Sequence, residues 1–132
     1  MGLNIKKRQG MNGNKFLADT NTFIYLLNRH PVLEPLLDGE WFFSFIPEIE
    51  LLGKPGISNQ EIKEVKGLLA VCTKALHVDA INELTIQLKQ QYKIKLPDAL
   101  IAATAIYQQL PIITFDKGFI KINEIDLVLL EP

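Results

Sequence analysis

The chain has 132 residues, of which 48% are hydrophobic and 22% are charged, and this length corresponds to about one domain with a sizeable core. Its 14 basic and 15 acidic residues leave a formal net charge of −1, which excludes a strongly basic nucleic-acid wrapper and an acidic tail protein. The single cysteine, Cys72, excludes an intrachain disulfide framework and a thiolate metal cage. Because we find no secretory signal and no apolar span, we expect a soluble cytoplasmic protein that does not enter a membrane.

The first third of the chain predicts a leader, two strands and two helical stretches. Residues 1–14 are polar and basic, so we expect a flexible leader, with Met11 as an alternative start of translation. Apolar or aromatic runs of strand length follow at Lys15–Asp19 and Trp41–Phe45. Between them, helical patterns are predicted over Thr22–Asn28 and Val32–Leu37.

The rest of the chain continues to alternate helices with strands. Helices are predicted to begin at Pro47, at the capping box Ser58–Glu61, after the cap residue Asp79 and at Pro97. Strands are predicted over Ala75–Val78, Ile112–Thr114 and Asp126–Leu129, with a turn or short helix over Lys117–Lys121. This alternation predicts one α/β domain over residues 15–132, with a parallel sheet and helices on both of its faces.

Four carboxylates fall where the predicted strands end or the following helices begin: Asp19, Glu50, Asp98 and Asp116. Right-handed crossovers make the helices run antiparallel to the strands, so a helix that follows a strand starts at the carboxyl edge of the sheet. We therefore expect all four acids at that edge, where open α/β folds place their ligands, and we call them the acidic edge. Taken singly, each has a structural alternative as a helix cap, an early helical acid or a turn former.

A cluster of four carboxylates is expected to bind a cation, because the negative charges otherwise repel one another. Two like charges about 4 Å apart repel by roughly 4 kcal/mol at an effective dielectric constant near 20. Carboxylate oxygens suit Mg²⁺ or Mn²⁺, and His30 and His77 are not expected to contribute as ligands. Because Mg²⁺ pairs readily with phosphate oxygens, the pattern points to phosphodiester chemistry.

At these residues the sequence resembles the PIN-domain proteins, above all the VapC-type toxins of bacterial toxin–antitoxin pairs. The resemblance extends from Lys15 to about Leu129 and is carried by FLADTN at Phe16–Asn21, SFIPEIELLGKPG at Ser44–Gly56, LPDALIAATAIYQQLPIITFD at Leu96–Asp116 and KGF at Lys117–Phe119. It implies a three-layer α/β/α sandwich with a five-stranded parallel sheet. It also implies a metal-dependent ribonuclease whose metal site is the acidic edge.

The resemblance also assigns roles to neighbouring residues. It favours Glu50 over Glu48 as the site glutamate, and it implies that Thr114 supports Asp116 while Thr20 and Asn21 brace Asp19. The lysines that flank the acids in the sequence are candidate RNA-phosphate contacts, with ordinary solvated lysines as the alternative: Lys93, Lys95, Lys117 and Lys121. Relatives often carry a further acid at the position of Gly118, so we predict one Mg²⁺ or Mn²⁺ ion, with a second as an open possibility.

The resulting hypothesis is an endoribonuclease toxin that a cognate antitoxin inactivates by covering the acidic edge. One alternative is a non-catalytic PIN-like module that binds RNA or protein, and another is a phosphoacceptor signalling domain. The segment from Glu34 to Cys72 holds more apolar side chains than a small domain must bury, so, as the resemblance implies, we also predict a homodimer. The apolar side chains behind this prediction are Leu36, Leu37, Ile49, Leu51 and Leu52.

Overall fold

The computed structural model describes the backbone of residues 3–6 and the whole of residues 14–132. The strands in these ranges are β1 (Leu3–Lys6), β2 (Lys15–Ala18), β3 (Glu40–Phe43), β4 (Thr73–Lys74), β5 (Ile112–Thr114) and β6 (Leu127–Leu130). The α-helices are α1 (Thr20–Leu27), α2 (Phe45–Leu52), α3 (Asn59–Ala70), α4 (Asp79–Gln91) and α5 (Leu96–Gln108). Short 3₁₀ turns cover Pro31–Leu36 and Lys117–Phe119.

The strands form one sheet in the order β1-β6-β5-β2-β3-β4. Strands β2 to β6 are mutually parallel, which confirms the predicted five-stranded parallel sheet. The sixth strand, β1, pairs antiparallel with β6, so that Leu3 lies opposite Leu130 and Lys6 opposite Leu127. Four residues of the predicted flexible leader thus form an edge strand. The rest of that leader, apart from Asn14, lies outside the described residues, and so does Met11.

Successive side chains of each strand point to opposite faces of the sheet, and a separate core fills each face. Leu17 of β2 belongs to the core beneath α4 and α5, together with Ile101. Its neighbours Phe16 and Ala18 belong to the other core, together with Phe23 of α1 and residues of α2 and α3. Helices on both faces of a parallel sheet make the three-layer α/β/α sandwich that was predicted.

Three local predictions around β4 are wrong. The strand occupies Thr73–Lys74 rather than Ala75–Val78, and it pairs with β3 through two residues only. His77 was placed in a buried strand, but it is exposed and its Nε2 lies 2.8 Å from the side-chain oxygen of Asn82. Asp79 was predicted to cap α4, whereas the cap residue is Val78, without a side-chain hydrogen bond. An exposed edge strand carries little apolar alternation, so its position depends on its partner strand.

Three other helices start one or two residues before the predicted positions: α1 at Thr20, α2 at Phe45 and α5 at Leu96. The start of α3 agrees with the prediction. Ser58 and Glu61 form the predicted capping box at the start of α3, with hydrogen bonds of 3.1 Å in both directions.

Among the apolar residues behind the dimer prediction, Leu51 is buried, whereas Leu37 is 54% exposed and Ile49 is 61% exposed. Within residues 3–6 and 14–132, none of the helices has the length and apolar character that a membrane span requires.

Candidate active site

Asp19 lies where β2 ends and α1 begins, and it is only 5% exposed. As the N-cap of α1 it accepts hydrogen bonds at Oδ1 from the backbone N–H of Thr22 (3.0 Å) and from the Thr22 hydroxyl (2.6 Å). Its Oδ2 accepts a hydrogen bond from Thr114 Oγ1 at 2.5 Å. Burial raises the pKa of Asp19, the three hydrogen bonds oppose this rise, and the charge of Asp116 adds to it. The carboxylate is therefore desolvated and held in one orientation.

The Thr114 hydroxyl joins two of the four acids. Thr114 ends β5 and is fully buried, and its Oγ1 donates to Asp19 while it accepts the backbone N–H of Asp116 at 3.0 Å. Asp116 is exposed, and its Oδ1 accepts the backbone N–H of Gly118 at 2.7 Å. Thr114 thus supports Asp116, the role that the resemblance implies, and it contacts Asp19 as well.

Asp98 interacts electrostatically with the other three acids. It lies in the first turn of α5, behind Pro97, and it is half-buried. Burial raises the pKa of Asp98, and the negative charges of the other three acids raise it further, in the order Asp116, Asp19 and Glu50. Lys95 opposes this rise. The other three acids of the predicted acidic edge therefore lie within electrostatic reach of Asp98, and Asp116 also lies within reach of Asp19.

Glu50 projects from α2 and is exposed, and its Oε1 accepts a hydrogen bond from the hydroxyl of Thr20. Thr20 therefore braces Glu50 and not Asp19, whereas Thr22 and Thr114 hold Asp19. Asn21, between Thr20 and Thr22 in the chain, is exposed at the surface. The sequence carries a signal for Thr22, since an N-cap aspartate receives hydrogen bonds from the residue three positions later. Glu48 has another partner, because its Oε1 lies 2.8 Å from Lys74 Nζ.

The donor chemistry of the acidic edge fits a hard divalent cation. Carboxylate oxygens are the ligands that Mg²⁺ and Mn²⁺ prefer, and an oxygen that accepts a hydrogen bond keeps electron pairs for a metal. Within residues 14–132, however, no group of three or more His, Cys, Asp and Glu side chains is already arranged to hold a metal ion. The acids are thus gathered at one edge without forming a closed cage.

All four predicted lysines are exposed, and Lys95 lies within electrostatic reach of Asp98. Lys95 directly precedes α5, and Lys117 directly follows Asp116. Lys121 donates from Nζ to the backbone oxygen of Lys93 at 2.5 Å, which ties the loop before α5 to the segment after the second 3₁₀ turn. The acidic edge therefore combines one buried acid, one half-buried acid and two exposed acids with exposed cations beside Asp98 and Asp116.

A groove of about 480 Å³ runs between α1, α2 and α3 and reaches the acidic edge at Glu50 and Thr20. Its lining alternates apolar with charged residues. The apolar part comprises Ile24, Leu27, Leu51, Ile57 and Val65.

A PIN domain family model matches residues 16–125 of the chain. The comparison with curated proteins found no match. Solved structures do match. A toxin–antitoxin complex from Klebsiella pneumoniae is similar with 29% sequence identity and a TM-score of 0.71, covering 83% of this chain and 93% of that chain.

Two further structures are similar over comparable lengths. VapBC-1 from nontypeable Haemophilus influenzae shows 26% identity and a TM-score of 0.73, covering 86% of this chain and 96% of that one. VapBC2 from Rickettsia felis, bound to a DNA fragment from its promoter, shows 23% identity and a TM-score of 0.70, covering 89% and 99%.

Proposed function

The chain belongs to the PIN domain family, and we propose that it is a Mg²⁺- or Mn²⁺-dependent endoribonuclease, the toxin of a VapC-type toxin–antitoxin pair. The observation that carries this proposal is that three carboxylates from separate elements, Asp19, Glu50 and Asp116, act electrostatically on a fourth, Asp98. Mutual repulsion of this kind disfavours the metal-free fold and is relieved when a divalent cation binds. The resemblance to VapC-type toxins and the toxin–antitoxin complexes among the similar structures support the biological role.

In this proposal Asp19, Glu50, Asp98 and Asp116 hold the metal. The bound ion would supply an activated water for attack on the phosphodiester and would neutralise charge on the phosphate. Asp19 is the most constrained of the four acids, because two threonine hydroxyls hold both of its oxygens.

The neighbouring residues support these acids. The hydroxyl of Thr20 orients the exposed Glu50, and the backbone N–H of Gly118 orients Asp116. The lysines around the edge place positive charge where the phosphates on either side of the cleaved bond would lie.

The first experiment measures cleavage of single-stranded and structured RNA by the purified protein, with Mg²⁺, with Mn²⁺ and with a chelator. We expect cleavage only with metal, and a loss of at least about a hundredfold in the Asp19→Asn and Asp98→Asn variants. Asp38→Asn is the matched control, because Asp38 is exposed in the loop before β3, at the opposite edge of the sheet. Cleavage without metal, or full activity in both site variants, would refute the proposed site.

Metal binding is measured separately, by titrating Mn²⁺ into the chelator-treated protein and following its electron paramagnetic resonance signal. A single tight ion is expected, and Asp98→Asn should weaken its binding. The non-catalytic alternative predicts a different outcome, in which the metal binds but none of the RNAs is cleaved.

We also propose that a cognate antitoxin and a second copy of the chain bind this protein. Coexpression with the antitoxin should relieve growth inhibition by the toxin, and the purified complex should show no RNA cleavage. The mass in solution at micromolar concentration tests the dimer, and a monomeric mass would contradict it.

A further inference from the structure

We propose that a cleft beside Asp116 binds one unpaired base of the RNA, next to the bond that is cleaved. This inference rests on the proposed function and adds a substrate-recognition site to it. We call the site the aromatic cleft. It has a volume of about 510 Å³, and its lining includes Asn21, Tyr25, Phe115, Asp116 and Lys117.

Two aromatic rings form the apolar wall of the aromatic cleft. The ring centroids of Tyr25 and Phe115 lie 4.2 Å apart at an interplanar angle of 37°, and both residues are half-buried. His30 packs edge-on against Tyr25, with centroids 5.2 Å apart, and its Nδ1 accepts the backbone N–H of Val32 at 3.1 Å. The rings are therefore fixed by their neighbours, and part of their surface faces the cleft.

The polar groups around these rings suit a nucleotide. The exposed amide of Asn21 offers both a donor and an acceptor to the edge of a base. The exposed ammonium group of Lys117 can pair with a phosphate, and bases of any sequence stack on aromatic rings. A purely hydrophobic ligand would make no use of the charges of Lys117 and Asp116, whereas a nucleotide bound through a metal would use all of these groups.

Residues of the aromatic cleft are neighbours in the chain of two acids of the proposed metal site. Phe115 immediately precedes Asp116, and Thr114 before it contacts both Asp19 and Asp116. Asn21 lies in the first turn of α1, two residues after Asp19. A base in the cleft would thus be held by the same two segments that position two of the acids, so its nucleotide would be fixed relative to the cleaved bond.

The test is a thermodynamic cycle between one base and one ring, in the non-cleaving Asp98→Asn background with Mg²⁺ present. Fluorescence anisotropy measures the affinity for labelled single-stranded RNA hexamers, intact or with one abasic position. Tyr25→Leu and an abasic site at one particular position should each weaken binding about tenfold. The two changes together should weaken binding no more than either alone. Tyr107→Leu, in an exposed tyrosine on α5 outside the cleft, is the matched control and should bind like the background.

Thermal unfolding shows whether each variant is folded. If Tyr25→Leu does not fold, the same cycle is measured with Asn21→Ala and with Lys117→Ala, two substitutions at exposed positions of the cleft. Additive losses of binding free energy, or equal affinity for all the abasic hexamers, would refute the proposal that the aromatic cleft binds a base. If Tyr25→Leu weakens only antitoxin binding, the cleft serves the partner protein and the inference is wrong. Failure of the proposed function looks different, because the unmodified protein would then neither bind nor cleave any RNA.

Discussion

Replacing Thr114 by valine keeps the shape of a fully buried side chain but removes the hydroxyl that joins Asp19 to the backbone of Asp116. A hydrogen bond to a charged group contributes about 1.5–3 kcal/mol, and the exposed Asp116 can turn its freed N–H towards water. We therefore expect the free energy of unfolding to fall by about 2 kcal/mol. For a chain of this size the midpoint of thermal unfolding should fall by roughly 6–10 °C.

The pH dependence of this loss has a definite sign. Burial raises the pKa of Asp19 overall, so the stability associated with this group is greatest at low pH and decreases as the pH rises through its folded-state pKa. Thr114 makes the hydrogen bond that most opposes this rise. Without it the pKa of Asp19 rises further, and the destabilisation by Thr114→Val should be larger at neutral pH than near pH 3.

The matched control is Thr85→Val. Thr85 is also buried, but its Oγ1 donates to the neutral backbone oxygen of Ile81 within α4, at 2.7 Å. That carbonyl keeps its helical hydrogen bond, so we expect a loss well under about 1 kcal/mol with little pH dependence. Urea unfolding at several pH values measures both variants. Equal losses in the two variants, or a Thr114→Val loss that does not change with pH, would refute the reasoning.

Four further predictions concern other parts of the chain. Ser58→Ala should lower the stability measured by urea unfolding by about 1 kcal/mol. Because the Lys54 ammonium and the hydrogen bonds with Ser58 lower the pKa of Glu61, that group's contribution to stability is present above about pH 4.5 and should disappear as the pH falls further. Burial raises the pKa of the Cys72 thiol to about 11 from an ordinary 9.0. At pH 8, iodoacetamide should therefore alkylate the folded protein about a hundredfold more slowly than the urea-unfolded chain. Equal alkylation rates would contradict this prediction. Phe23→Ala removes a fully buried ring from the core beneath α1 and should destabilise the protein by about 3–5 kcal/mol in calorimetry, whereas Phe45→Ala, at a half-buried position, should have a smaller effect.

Much of the architecture follows from patterns that are local in the sequence. The alternation of apolar strand runs with helical periods predicts a parallel sheet, and the handedness of crossovers then brings the helix starts and the strand ends to one edge. Asp98, 79 residues after Asp19 in the chain, is placed beside it by this argument alone. The capping box at Ser58 is equally local, because both of its partners lie within four residues.

Other features depend on partners that are distant in the chain. Thr20, Asn21 and Thr22 are adjacent and similarly polar, and the phase of α1 decides that Thr22 contacts Asp19 while Thr20 reaches Glu50 on another helix. The two-residue strand β4 has no apolar pattern of its own and exists through its pairing with β3.

The residue types and their spacing thus determined which acids meet, because strand ends and helix starts follow from periodicity and handedness. Only the tertiary structure decided how each acid is held, because a hydrogen bond of 2.5–3.0 Å depends on the rotation and packing of whole elements, which sequence spacing does not specify. The antiparallel edge strand β1 has the same origin, since its ladder partner is β6 at the far end of the chain.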